Sequence, residues 1–147
     1  LTLFLTGVCA FLGFAFPTSR LLPNSYYQIK SPKSVLFWMR IGGVEYFKKA
    51  LLFFFWGRGE NRKKFFKGTK SGLVGFVFQT KQSEFGHFAS FVLIILVSIP
   101  LALDGFYTLV LMMAFFNLIG NVYPIILQRS HRLRLQRVTN LLGKERK

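Results

Sequence analysis

The sequence predicts an all-α, polytopic membrane protein with about three transmembrane helices, plus amphipathic helices, interfacial or re-entrant, in one long cytoplasmic loop. Three observations carry this. Apolar residues make up 52% of the chain and 19 of them are Phe, a load that a disordered chain does not keep in water. Twenty Lys and Arg stand against five Asp and Glu, a formal charge of +15. The two properties are segregated: Leu1–Ser19 and Gly105–Gln128 carry no charge, and from Phe88 to Gln128 the only charge is Asp104. A length of 147 residues allows one domain or one small bundle, so residues 1–147 are read as a single membrane domain. A buried helical hairpin in a soluble core is the alternative, but so short a chain cannot wrap that much apolar surface. The lone Cys9 excludes a disulfide scaffold, and its apolar surroundings predict a buried thiol.

The first span is expected at about 1–19, since an uncharged stretch of that length gives a helix of roughly 28 Å, enough for the hydrocarbon core of a bilayer. Pro17 and the lack of an initiating Met suggest that the sequence starts inside this helix. A signal peptide is the alternative, and a retained helix is preferred because no small-x-small cleavage pattern precedes Arg20. The loop at 20–81 holds thirteen of the twenty basic residues. Within it Val35–Met39 and Ala50–Trp56 are strongly apolar, with Arg40, Lys48 and Lys49 between them. Such segments suit helices lying at headgroup depth. Gly42 and Gly43 mark a break between two pieces and Gly57–Gly59 the end of the second. The run Arg62, Lys63, Lys64 and Lys67 reads as a solvated stretch.

Spans two and three are expected at about 86–103 and 106–128, joined by a turn at Asp104 and Gly105. The basic tail, 129–147, holds the remaining seven cations. The positive-inside rule places loop and tail in the cytoplasm, the amino end outside and the carboxy end inside. All twenty basic residues satisfy that one topology. Because the cations flank apolar spans, the expected partners are anionic membrane lipids rather than nucleic acid. Acidic substrates such as phosphorylated carriers remain open.

Candidates for chemistry are few among two His and five acids. Glu84 and His87 are spaced i, i+3 and share a helix face at the cytoplasmic entrance of span two. A carboxylate beside an imidazole can fix its tautomer and raise its basicity, as a general base requires. The plainer reading is an ion pair anchoring the helix end. Glu-x-x-His also occurs in di-iron bundles, but Glu45 and Glu60 are loop residues and Asp104 is at the opposite membrane face, so no metal is expected. At the end of span three, Asn121, Gln128 and Arg132 fall near one stripe. An amide about 10 Å inside the membrane from Gln128 is costly, and so points to function or to a helix–helix hydrogen bond. Pro124 frees a backbone carbonyl. Arg129, Arg132 and Arg134 could bind phosphate or carboxylate, or act as a juxtamembrane anchor. The hairpin of spans two and three brings Glu84 and His87 beside Gln128 and Arg129, giving a base, an amide and a cation for group transfer.

The motifs TKxxExxH (Thr80, Lys81, Glu84, His87) and NxxxxxxQRxxRxRL (Asn121, Gln128, Arg129, Arg132, Arg134, Leu135) resemble those of the glycosyl-4,4'-diaponeurosporenoate acyltransferase family. These are small bacterial membrane enzymes of carotenoid glycolipid synthesis, as in the staphyloxanthin pathway. The resemblance covers about 78–136, and more weakly Gly43–Lys49. The chain departs from it at Leu51–Trp56, where the family has a charged Trp-Lys segment, and at Gln79, where an acid can occur. The resemblance implies a bacterial cytoplasmic membrane enzyme that esterifies a sugar hydroxyl of a glycolipid with a fatty acyl chain. His87 would then deprotonate the hydroxyl and Glu84 would orient it. Asn121 or Gln128 could donate to the oxyanion. Arg129 and Arg132 could hold a phosphate, with Thr80 and Lys81 also on the substrate. Ser83, at i−4 from His87, is the nearest hydroxyl for a covalent route, and direct transfer is simpler. No cofactor is expected beyond an acyl carrier or acyl-CoA as co-substrate. A homo-oligomer stays open as a partner arrangement. The alternative function is a non-enzymatic membrane protein that binds lipid or a larger partner. A nucleotide-dependent methyltransferase or reductase is disfavoured, because Gly68–Gly75 lacks the spacing of a phosphate loop.

Overall fold

Proline disfavours helical backbone in the residue before it, and this sets the end of the first helix. Helix α1 spans Thr2–Ala15, and Phe16, which precedes Pro17, is extended at φ −114°, ψ 157°. The helix therefore stops short of the predicted 1–19 and measures about 21 Å. A 3₁₀ turn follows at Thr18–Arg20. The structure, a computed structural model, describes residues 1–54 and 70–144. All regular elements among them are helical.

The remaining helices are α2 (Asn24–Tyr27), α3 (Pro32–Ile41), α4 (Val44–Phe54), α5 (Lys70–Leu103), α6 (Tyr107–Asn117) and α7 (Tyr123–Lys144), with a π-helical turn at Leu118–Val122 between the last two. Ser31 caps α3, its hydroxyl accepting from the Ser34 N–H at 3.4 Å, and Pro32 takes the first helical position, where a missing N–H is harmless. The break expected at Gly42–Gly43 separates α3 from α4. The end expected at Gly57–Gly59 and the basic run from Arg62 to Lys67 lie outside the described residues.

Helix α5 starts at Lys70, well ahead of the apolar onset at Gly86 that locates span two. The last part of the expected loop, 70–81, is thus helical, and so is the expected tail as far as Lys144. Both helices outrun their apolar stretches because their polar turns pair with each other. Two segments, Gly72–Leu103 and Tyr107–Arg137, are long and apolar enough to cross a membrane, and only 17% of each apolar window is buried. That low burial separates them from core helices of a soluble protein. Leu96, Ile99, Leu111 and Phe115 face outward, while Ser90, Asn117 and Asn121 are buried. Polar groups inside and apolar groups outside suit a lipid surround. The turn between α5 and α6 contains Gly105 at φ +82°, a conformation glycine adopts without steric cost.

Helix α1 runs antiparallel to α5 and touches it at two glycines. A Cβ on Gly86 would meet the Cys9 carbonyl at 2.9 Å, and one on Gly13 would meet the Gln82 carbonyl at 3.0 Å. Small residues permit this backbone approach, as in membrane helix pairs generally. The α1 end is sealed by side chains: Thr18 Oγ1 donates to the Gly13 carbonyl at 2.6 Å and Gln82 Nε2 to the Phe16 carbonyl at 2.9 Å. Cys9 is only half-buried, against the expectation of a buried thiol, because its side of α1 is not fully covered. Helices α3 and α4 pack on α7 through Met39, Val44 and Leu127. Leu36, Phe37, Trp38 and Phe53 on the same two helices remain exposed.

Candidate functional site

Two polar layers line α5, one facing α7 and the other facing the π-helical turn, the end of α6 and α1. In the first, the Glu84 carboxylate is completely buried. It accepts from Arg129 Nε at 2.9 Å and from Arg132 Nη2. Arg132, 3% exposed, also donates to the Tyr27 carbonyl at 3.3 Å and the Thr80 carbonyl at 3.5 Å. Two cation–π contacts complete the packing, Arg132 over the Tyr27 ring at 5.3 Å and Arg129 over Tyr26 at 5.0 Å. Burial, then the Glu84 charge, pushes the Tyr27 hydroxyl up to about 12 and raises that of Tyr26. The Tyr27 hydroxyl is buried without a hydrogen-bond partner.

One turn further along α5 lies the second layer, which is neutral. The His87 ring Nδ1 lies 3.2 Å from Asn121 Oδ1. Asn121, fully buried, donates from Nδ2 to Asn117 Oδ1 at 2.8 Å and to Thr6 Oγ1 at 3.0 Å. Asn117 Nδ2 in turn donates to the Phe91 carbonyl at 3.2 Å. Thr6 meets Ser90 Oγ at 3.2 Å.

This chain has a fixed polarity. A backbone carbonyl can only accept, so the Phe91 carbonyl must face the Asn117 amino group. Asn117 Oδ1 is then the acceptor for the Asn121 amino group, and Asn121 Oδ1 is left facing the imidazole. In that orientation His87 Nδ1 is the donor to Asn121 Oδ1. Pro124, having no N–H, cannot bond the Gly120 carbonyl four residues earlier, and the Gly120 backbone lies against the His87 ring. The π-helical turn sits at this point, as such bulges often do at functional sites.

Glu84 and His87 do share a face, but the carboxylate does not serve the ring: two guanidinium ions outcompete a neutral imidazole for a buried carboxylate. Asn121 takes the orienting position instead. Gln128 donates to Ser83 Oγ at 3.1 Å. Thr80 is buried, its Oγ1 donating to the Val77 carbonyl at 2.7 Å. Arg132 is almost fully buried, its guanidinium held by Glu84. Lys81 is more open, donating to Asn24 Oδ1 at 3.0 Å. Asn117, Ser90 and Thr6 escaped the sequence reading. The signal for the first was the i, i+4 pair of Asn117 and Asn121 inside an apolar span. Among the described residues no three His, Cys, Asp or Glu side chains gather in one place.

A family profile described as glycosyl-4,4'-diaponeurosporenoate acyltransferase matches residues 23–141. The chain belongs to this family. The family's name denotes acyl transfer, and the match takes in both polar layers, apart from Thr6 of α1. No curated protein and no solved structure matches the chain.

Proposed function

We propose that this member of the glycosyl-4,4'-diaponeurosporenoate acyltransferase family is an integral membrane enzyme of the bacterial cytoplasmic membrane. It esterifies a sugar hydroxyl of a carotenoid-type glycolipid with a fatty acyl chain. In this reading α1 is the first of three spans, the amino end lies outside, and the carboxy end and the α3–α4 loop helices lie on the cytoplasmic side, the latter in the interface. Family membership and the two apolar helices support the reaction class and the membrane setting. The observation that carries the mechanism is the hydrogen-bond chain from the Phe91 carbonyl through Asn117 and Asn121 to His87.

His87 Nε2 takes the proton of the acceptor hydroxyl as its oxygen attacks the acyl carbonyl carbon. Asn121 holds the ring in the tautomer that makes Nε2 the base. The new C–O bond forms, the bond to the leaving group breaks, and the imidazolium returns its proton to the leaving group. The Asn121 amino group has both hydrogens committed, to Asn117 and Thr6, so the oxyanion donor is Gln128, whose second N–H is not required by Ser83. Glu84, Arg129 and Arg132 hold α5 and α7 in register beneath the base. The acyl and lipid chains lie along the apolar helices.

The test is comparative lipid mass spectrometry on cells that supply a glycolipid acceptor. The native chain is set against His87→Ala at matched membrane levels. The expected result is a glycolipid that gains the mass of a fatty acyl group only with the native protein. Identical profiles, with the acceptor pool verified, would overturn the reading in favour of a lipid-binding or scaffold protein.

A further inference from the structure

Two open depressions adjoin the start of α5 and share Lys81, Asn24 and Val77 in their walls. One, of about 420 Å³, is floored by Tyr27 and Arg132. The other, of about 460 Å³, carries Arg20 at its rim and Leu22, Val74 and Phe78 in its wall. Lys81 stands on the ridge between them, its ammonium 5.1 Å from the centre of the Tyr27 ring. One of its three N–H groups is directed to Asn24, which leaves two for a ligand.

Among the described residues no carboxylate competes for this ammonium. The acids among the described residues are Glu45, Glu84 and Asp104. Glu84 is enclosed by its two arginines, Asp104 lies at the far end of α5 in the turn to α6, and Glu45 belongs to α4, which packs on α7. Lys81 and Arg20 are therefore a cationic pair over apolar walls, about 9 Å along α5 from His87 by helical rise. Cations above an apolar slot fit an anionic head on an apolar tail.

We propose that these depressions seat the phosphate-bearing head of an amphiphile, held by Lys81 and Arg20, with its fatty chain directed along α5 toward His87. Arg129 and Arg132, the cations that the sequence pattern favours for phosphate, are taken by Glu84. Arg20 lies outside the matched family region and enters through the 3₁₀ turn. As the phosphate belongs to the acyl donor, the inference rests on the acyl-transfer reading for its purpose, though not for the binding itself. Two sources share this chemistry: an acyl thioester of coenzyme A, and a phospholipid of the bilayer.

The experiment is native mass spectrometry of the purified full chain in an uncharged detergent. It is titrated separately with palmitoyl coenzyme A, dipalmitoyl phosphatidic acid and, as the phosphate-free control, dipalmitoyl glycerol. One phosphate-bearing amphiphile is retained and the control is not. Each of Lys81→Met and Arg20→Met weakens retention about tenfold, the size expected for one charge-assisted contact, while Lys81→Arg and His87→Ala retain it. Selective retention of the thioester assigns the soluble source, and selective retention of phosphatidic acid assigns the bilayer source. Equal retention of the glycerol control, or unchanged retention by the double Met variant, would overturn the proposal. Failure of acyl transfer is read separately, by the His87→Ala lipid profile, and leaves this binding result intact.

Discussion

Replacing Glu84 by Gln removes the only carboxylate among the described residues that faces Arg132. The guanidinium is 3% exposed and the carboxylate 0%, so no water takes the place of the lost oxygen. Arg132 would keep two backbone carbonyls, at 3.3 and 3.5 Å, which are neutral acceptors at long range. Breaking a buried pair from one side costs about 3–5 kcal/mol, most of it the penalty for the stranded charge. Arg129 adds little, because its side chain is 35% exposed and water can screen it. At roughly 2–4 °C per kcal/mol, Glu84→Gln lowers the melting temperature of the purified protein by about 6–20 °C. The double variant Glu84→Met, Arg132→Met removes both charges and recovers most of this. The assay is thermal unfolding in one detergent, with Arg129→Gln as a reference for a half-exposed partner. A Glu84→Gln protein as stable as the native chain, losing only activity, would refute the reasoning and return Glu84 to the role of partner for His87.

Other consequences follow from the same geometry. Gly86→Ala places a methyl group against backbone of α1, the Cys9 carbonyl and the Ala10 Cα. It should cost about 1–3 kcal/mol and speed maleimide labelling of Cys9 as α1 lifts away. Tyr27 gives a pH signature. Its folded pKa is raised to about 12 from an ordinary 10, so its contribution to stability is fully present below pH 10 and is lost as pH rises through about 12. Tyr27→Phe removes both that slope and a buried hydroxyl without a partner, and should leave stability at neutral pH equal to or about 1 kcal/mol above native. Asn121→Leu should lower the rate of acyl transfer by at least about 10²-fold with little change in KM, since it disorients the base without touching the substrate seat. A rate within a factor of two of native would exclude the positioning role.

The hairpin of α5 with α6 and α7 was legible because apolar length and charge segregation are properties of composition. Helix ends were less so. Phe16–Pro17 cut α1 short, a local rule outweighed in the sequence reading by the absence of charge up to Ser19. Helix α5 extends ahead of Gly86 with Thr80, Gln82, Ser83 and Glu84 buried against partners, and hydropathy counts such residues as loop. The meeting of Glu84 with Arg129 followed from the hairpin alone. The pairing within the site did not, because i, i+3 spacing places two side chains on one face without saying which partner wins. Only the contacts show two arginines facing Glu84, and Asn121 reaching His87 under the control of Asn117. Thr6 could not be foreseen, since nothing in an apolar helix marks which hydroxyl meets a polar chain.

The most direct test of the account is the tautomer of His87. In a His131→Gln background the chain holds one imidazole, since there are two His in all. Nitrogen-15 NMR of the histidine-labelled protein in lipid then reports His87 alone. The expected result is a protonated Nδ1 and a bare Nε2, and loss of that single state in Asn117→Leu, where the hydrogen-bond chain from the Phe91 carbonyl is cut. A neutral ring with the proton on Nε2 would contradict it, because Asn121 would not be the group that makes Nε2 the base.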